Sequence, residues 1–168
     1  MPVFCCITLA GEPMRYPIRR KDRAMAEEGC MKVLSEAVYG TLSTVDEDGT
    51  PYGIPLSFVW HEKAVYFHCA CEGHKIDNIA RSPRVCFSAA AGVQAVYKGN
   101  FTTCYSSVVV IGTVRAVEGD EKDDALKALC LKYLPEHSDK IERNIEASCA
   151  KTAVYAIVPE LITGKERR

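Results

Sequence analysis

No run of apolar residues in this 168-residue chain approaches the roughly 20 that a helix needs to cross a bilayer. Net charge is equally scarce. The 21 Lys and Arg against 22 Asp and Glu leave a formal charge of −1, too weak a field to hold nucleic acid or an anionic membrane. There is no basic helix and no charge block beyond the short Lys165-Glu166-Arg167-Arg168 tail. GxGxxG is missing, as is the regular βαβ alternation of a doubly wound dinucleotide domain. Nor is there an internal repeat, a low-complexity segment or a dividing linker. One domain is therefore expected over residues 19–168, with 1–18 as an N-terminal extension. Met1–Ala10 is apolar but lacks a basic leader, and Arg15, Arg19, Arg20 and Lys21 come after it, the wrong order for a signal peptide. Met14 reads as a more ordinary start, residues 1–13 as dispensable, and the protein as cytoplasmic.

Cysteine, by contrast, is abundant. The nine residues are an odd number and lie mostly within apolar runs, so they read as small packing hydrophobes in a reducing compartment. Asp22–Ala37 has a helical face of Met25, Gly29, Val33 and Ala37, with Asp22 as its expected cap. Strands follow at Val38–Val45, Tyr52–Trp60 and Ala64–Ala70, the first two joined by Asp46-Glu47-Asp48-Gly49. A short helix over Lys75–Ala80 stops near Ser82-Pro83, and Val85–Ala89 returns to strand. Gly92–Asn100 reads as a loop, and Cys104–Val117 as a long strand that Gly112 bends or bulges. Two helices, Asp120–Tyr133 and one bearing Ile141, Ile145 and Cys149, precede a last strand at Thr152–Val158. The sum is a mainly β protein with peripheral helices, a six-stranded antiparallel split β-barrel.

Chemistry concentrates where the strand Ala64–Ala70 turns into the short helix. Gly73-His74-Lys75 places a flexible backbone and a fixed cation at a helix start, where free amides and the helix dipole favour a phosphate. The competing reading is a solvated turn with two exposed basic side chains. His68-Cys69-x-Cys71-x-x-His74 contains zinc-binding types, but in a strand His68 and Cys69 point to opposite faces and no second ligand pair follows. No metal is expected.

The order Asp48-Gly49-Thr50-Pro51-Tyr52, Ile54-Pro55-Leu56-Ser57-Phe58, Tyr66-Phe67-His68-Cys69, His74-Lys75, Ser82-Pro83-Arg84-Val85 and Val108-Val109-Val110-Ile111-Gly112 resembles the FMN-binding split barrel of the pyridoxamine 5′-phosphate oxidase superfamily. Arg19–Arg23, PYGIPLSFVW, VYFHCACEGHK and Ile162–Lys165 resemble its nitroimidazole-resistance (Nim-type) branch in particular. The superfamily's Arg-Lys phosphate pair is His74-Lys75 here, and the pyridoxal-binding C-terminal segment of the oxidases is not recognisable.

The resemblance implies FMN as cofactor, with His74 and Lys75 at its phosphate. It implies backbone contacts to the ring and ribityl chain from Ile54, Pro55, Leu56, Ser57 and Phe58. His68 and Cys69 would lie beside the flavin, Ser107 would make a polar contact, and Lys165 would reach a partner subunit's cofactor. It implies a homodimer with flavin sites between subunits, and an oxidoreductase that reduces nitroaromatic, 5-nitroimidazole-like molecules with His68 as proton donor. The alternatives are a non-catalytic flavin- or haem-binding module, a pyridoxamine 5′-phosphate oxidase-like enzyme, or a reductase using deazaflavin.

Overall fold

The computed structural model describes residues 6–8 and 18–168, and of residues 6–8 the backbone alone. The expected extension over residues 1–18 thus falls largely outside the described residues. In chain order the strands are β1 (Cys6–Thr8), β2 (Gly40–Val45), β3 (Pro51–Leu56), β4 (Val59–His61), β5 (Ala64–Cys69), β6 (Arg84–Tyr97), β7 (Phe101–Val117) and β8 (Ala153–Arg167). The helices are α1 (Glu27–Glu36), α2 (His74–Arg81), α3 (Gly119–Tyr133) and α4 (Ile141–Ser148). All the strands join one antiparallel sheet in the order β3-β2-β6-β7-β8-β5-β4, with β1 pairing β8 off that path. The path therefore holds seven strands rather than the expected six, and it ends at β3 and β4 without closing.

The extra strand arises because Tyr52–Trp60 is interrupted. Tyr133, at the end of α3, accepts the Phe58 N–H at 2.9 Å, and its hydroxyl lies 2.6 Å from the Val38 carbonyl and 3.0 Å from that of Phe58. A hydroxyl has one proton to donate, and the shorter contact to Val38 takes it. A backbone held in this way leaves the ladder between β3 and β4.

Alternation sorts the apolar residues into two layers. Leu42, Phe87, Val108, Val110, Val65, Phe67 and Ile157 form a core beneath α1, which adds Cys30, Val33 and Leu34. Ala64, Tyr66, Val117, Val154 and Ala156 pack against Ala125 and Leu129 of α3 and Ile141 and Ile145 of α4. Strand β5 serves both layers, which is why its sequence is continuously apolar from Ala64 to Phe67.

Three boundaries differ from expectation. Helix α1 starts at Glu27, because Asp22 is gripped by Arg20 (Nε to Oδ1, 2.8 Å) instead of capping. The region read as a loop is the outer half of the β6–β7 hairpin, which continues past a bulge between Ala91 and Gln94 to a turn at Gly99. Strand β8 runs through Pro159 to Arg167. Pro159 pairs with Gly112 where the β7–β8 register shifts, in a stretch that has already left β5, so its missing N–H breaks no β5 ladder. Gly112 does mark the bulge: a Cβ there would run into the Val158 carbonyl oxygen. The cysteines are less buried than expected: Cys30 is buried, but Cys71 is exposed and Cys69, Cys86, Cys104, Cys130 and Cys149 are intermediate.

Candidate functional site

The corner beside α2 is built by two turns that meet. The β2–β3 turn closes with the Asp46 N–H on the Thr50 carbonyl (2.8 Å) and the Gly49 N–H on the Asp46 carbonyl (3.0 Å), with Gly49 at φ +86°. That leaves the Asp46 carboxylate facing α2. Asn78, a buried polar residue of α2, donates its amide to Asp46 Oδ1 (2.5 Å) and to Thr44 Oγ1 (3.1 Å), and its Oδ1 accepts from Arg81 (3.2 Å). His74 Nε2 lies 2.7 Å from the same Asp46 oxygen, and its ring stacks on Tyr52 at 4.1 Å between centroids. His74 thus binds the hairpin. Lys75 stays available on the same turn.

Helix α2 begins at Gly73 with φ +126°, a backbone that side chains rarely adopt, and no side chain caps it. The Gly73 carbonyl accepts from Ile76 (2.7 Å) and Asp77 (3.2 Å), so the first turn is formed while its leading amides point outward. Lys75 also acts on Cys69, the last residue of β5. Burial pushes the Cys69 thiol up from its ordinary value, and the Lys75 charge pulls the other way. Cys69 adjoins Tyr155, whose hydroxyl is pushed up chiefly by burial and whose ring stacks on Phe67.

From this corner β3 leads away as an edge strand, paired with β2 alone. On the outer sheet face the registers align Pro55 with Thr41, Thr41 with Ser88 and Ser88 with Val109, while Ser107 lies opposite Ala90 and Lys165. Pro55, Thr41, Ser88, Ser107 and Val109 line one open cleft of about 480 Å³. Ser107 Oγ donates to the Lys165 carbonyl at 3.4 Å, and the Lys165 side chain is exposed.

The residues singled out in the sequence thus divide. Gly73, Lys75 and Cys69 gather at the corner, while Pro55 and Ser107 share the cleft, with Lys165 across the ladder. Ile54, Leu56 and Ser57 lie along or just after β3. Phe58 does not join them. Its N–H and carbonyl face the Tyr133 hydroxyl, and its side chain is in the core against Phe87. His68 is exposed on the face of β5 opposite Cys69, aligned with Val154 beside the α3 layer. The residues missed were Asp46 and Asn78. A polar side chain on the apolar side of a short helix, next to Ile79, was the available signal.

Among the described residues, no group of three or more His, Cys, Asp and Glu side chains is arranged to hold a metal ion, and no helix is long and apolar enough to cross a membrane. The sequence model of the pyridoxamine 5′-phosphate oxidase family matches residues 26–166. No curated protein matches the chain. Among solved structures, a candidate 5-nitroimidazole antibiotic resistance protein of Bacteroides thetaiotaomicron superposes with a TM-score of 0.71 at 21% identity, over 84% of this chain and 85% of that one. The conserved hypothetical protein Rv2991 of Mycobacterium tuberculosis gives 0.77 at 20% identity, over 90% and 91%. A FAD and heme binding protein of Mycobacterium smegmatis gives 0.75 at 18% identity, over 88% and 74%. At these identities the likeness establishes the fold.

Proposed function

Since the chain belongs to the pyridoxamine 5′-phosphate oxidase family, we propose that it is an FMN-binding oxidoreductase whose cofactor phosphate sits at the Gly73–Lys75 corner. The observation that carries this reading is the joining of that corner to the Pro55 cleft by one edge strand. Tyr52 to Pro55 spans about 10 Å at the usual strand rise. An extended ligand with an anionic tail and a flat ring suits that span.

The residues present fit such a group. Lys75 and the leading amides of α2 donate to a phosphate, and Gly73 lets the backbone approach it. Asp46, whose charge opposes an anion, is turned toward Asn78 and His74. His74 therefore keeps the corner in shape, and Lys75 supplies the charge. The free edge of β3 from Ile54 to Ser57 offers N–H and carbonyl groups to a polar ring edge. Cys69 gives an uncharged wall, since burial keeps its thiol protonated.

Bound flavin supplies the electron and hydride transfer itself. The chain orients it and excludes water. The substrates proposed are nitroaromatic, 5-nitroimidazole-like molecules, because the small uncharged lining of Thr41, Pro55, Ser88 and Val109 suits a flat neutral ring. The cleft is open on its outer side, and in a cytoplasmic homodimer a second copy closes it, with Lys165 reaching across. His68 faces away from Cys69, on the side of β5 that bears the α3 layer.

The test starts from the visible spectrum of the purified protein, where oxidised flavin bands are expected. Lys75→Ala should weaken FMN by about 10- to 100-fold, the worth of hydrogen bonds to a charged group, and leave riboflavin unchanged. Reduction by NAD(P)H and then oxidation by a nitroaromatic distinguishes the enzyme from a flavin or haem carrier. Failure of the wild type to bind FMN, or equal loss of FMN and riboflavin in the variant, refutes the proposal.

A further inference from the structure

Strand β8 leaves β5 after Ile157 and, past the bulge at Ile111/Gly112, takes β1 as its neighbour from Leu161 to Thr163. Where β8 changes partner, against α1, lies a cavity of about 380 Å³ lined by Glu27, Met31, Trp60, Lys63, Pro159, Leu161 and Ile162. It shares no lining residue with the Pro55 cleft or the Gly73 corner.

Two features set this cavity apart from a packing defect. Its walls are the chain's single tryptophan with Met31, Pro159, Leu161 and Ile162, and Trp60 is only half-buried. Its rim carries one charge of each sign, Glu27 and Lys63, and among the described residues neither is in an ion pair. Lys63 is presented by the two-residue β4–β5 hairpin turn, in which Glu62 and Lys63 take φ of +43° and +63°, the left-handed pair of a type I′ turn. That turn places an ammonium at the mouth of an apolar slot.

We propose that this cavity is a second small-molecule site, which takes a flat aromatic carrying one carboxylate. The ring lies against Trp60 between Met31 and Ile162, and the carboxylate meets the Lys63 ammonium at the rim. The volume is within the range of ligand pockets and matches two fused rings better than a whole nucleotide. Glu27 limits the anion's charge, disfavouring di- and tricarboxylates. None of this depends on the flavin reading.

Calorimetric titration of the purified protein, in buffer with and without excess FMN, with 2-naphthoate and with its neutral isostere 2-naphthamide tests the site. Sub-millimolar binding of 2-naphthoate is expected. Lys63→Gln should weaken 2-naphthoate about fivefold, the scale of a partly exposed ion pair, and leave 2-naphthamide unchanged. Glu27→Gln should strengthen 2-naphthoate alone, and Trp60→Leu should weaken both ligands about tenfold through lost aromatic contact. Melting curves confirm that each variant is folded. Absence of sub-millimolar binding to the wild type, or equal change for acid and amide in Lys63→Gln, overturns the proposal.

Discussion

Replacing Asn78 by alanine would remove the pin between α2 and the β2–β3 turn. The side chain is 1% exposed and donates to Asp46 and Thr44 at 2.5 and 3.1 Å. A hydrogen bond to a charged acceptor contributes about 1.5–3 kcal/mol, and one between neutral groups about 1 kcal/mol. Arg81, the third partner, is exposed and regains water at little cost. The expected loss is therefore about 3 kcal/mol, or a fall of roughly 6–12 °C in Tm for a chain of this size. Scanning calorimetry measures it, and the FMN binding proposed for this corner should weaken in the same variant because the turn bearing Lys75 is no longer held. Asn78→Asp sharpens the test. Its carboxylate would face that of Asp46, raising the folded-state pKa of the new group above its unfolded value, so the variant should gain stability as pH falls from 7 toward 4. A Tm change below about 2 °C in Asn78→Ala, or no such gain in Asn78→Asp, would show that the corner does not depend on this residue.

Tyr133→Phe keeps the ring but strands the Phe58 N–H, and should cost about 2 kcal/mol in urea unfolding with the m-value unchanged. Gly112→Ala drives a methyl into the Val158 carbonyl and should cost about 1–3 kcal/mol or more, with the loss read from the denaturation midpoint. Lys132 sits 3.7 Å above the Phe58 ring, and burial lowers its pKa to about 8. The unfolded chain, with the ordinary lysine value near 10.5, then binds more protons between those limits. Stability should therefore rise as pH goes from 8 to 10, and Lys132→Met should flatten that rise in pH-dependent melting curves.

Local patterns announced much of this molecule. The alternation in Leu42–Val45 and Val85–Ala89, the glycine of the Asp46–Gly49 turn and the helical spacing of Ala125, Leu126 and Leu129 all depend on neighbours a few residues away. Gly112 was readable as a bulge for the same reason. The Gly73–Lys75 corner was legible because a helix start and a cation are both local features. Errors came where distant residues intervened. Tyr133 breaks the strand at Phe58 from 75 positions away, and Asp46 claims His74 from 28. Pro159 looked like a strand end, but a proline is harmless where β8 has no β5 neighbour. Gly92 and Gly99 looked like a loop, although a register shift and a tight turn absorb them within one hairpin.

The amino-acid sequence by itself determined the family and the existence of most secondary elements, though not all their ends, because period, turn chemistry and motif order are properties of short stretches. Tertiary structure alone decided which groups remain available for chemistry. It engaged His74 with Asp46, enclosed the Phe58 backbone and opened a slot between α1 and β8. Whether a donor is free or engaged depends on what the fold brings within about 3 Å of it, and hydrogen bonds at that range disregard separation along the chain.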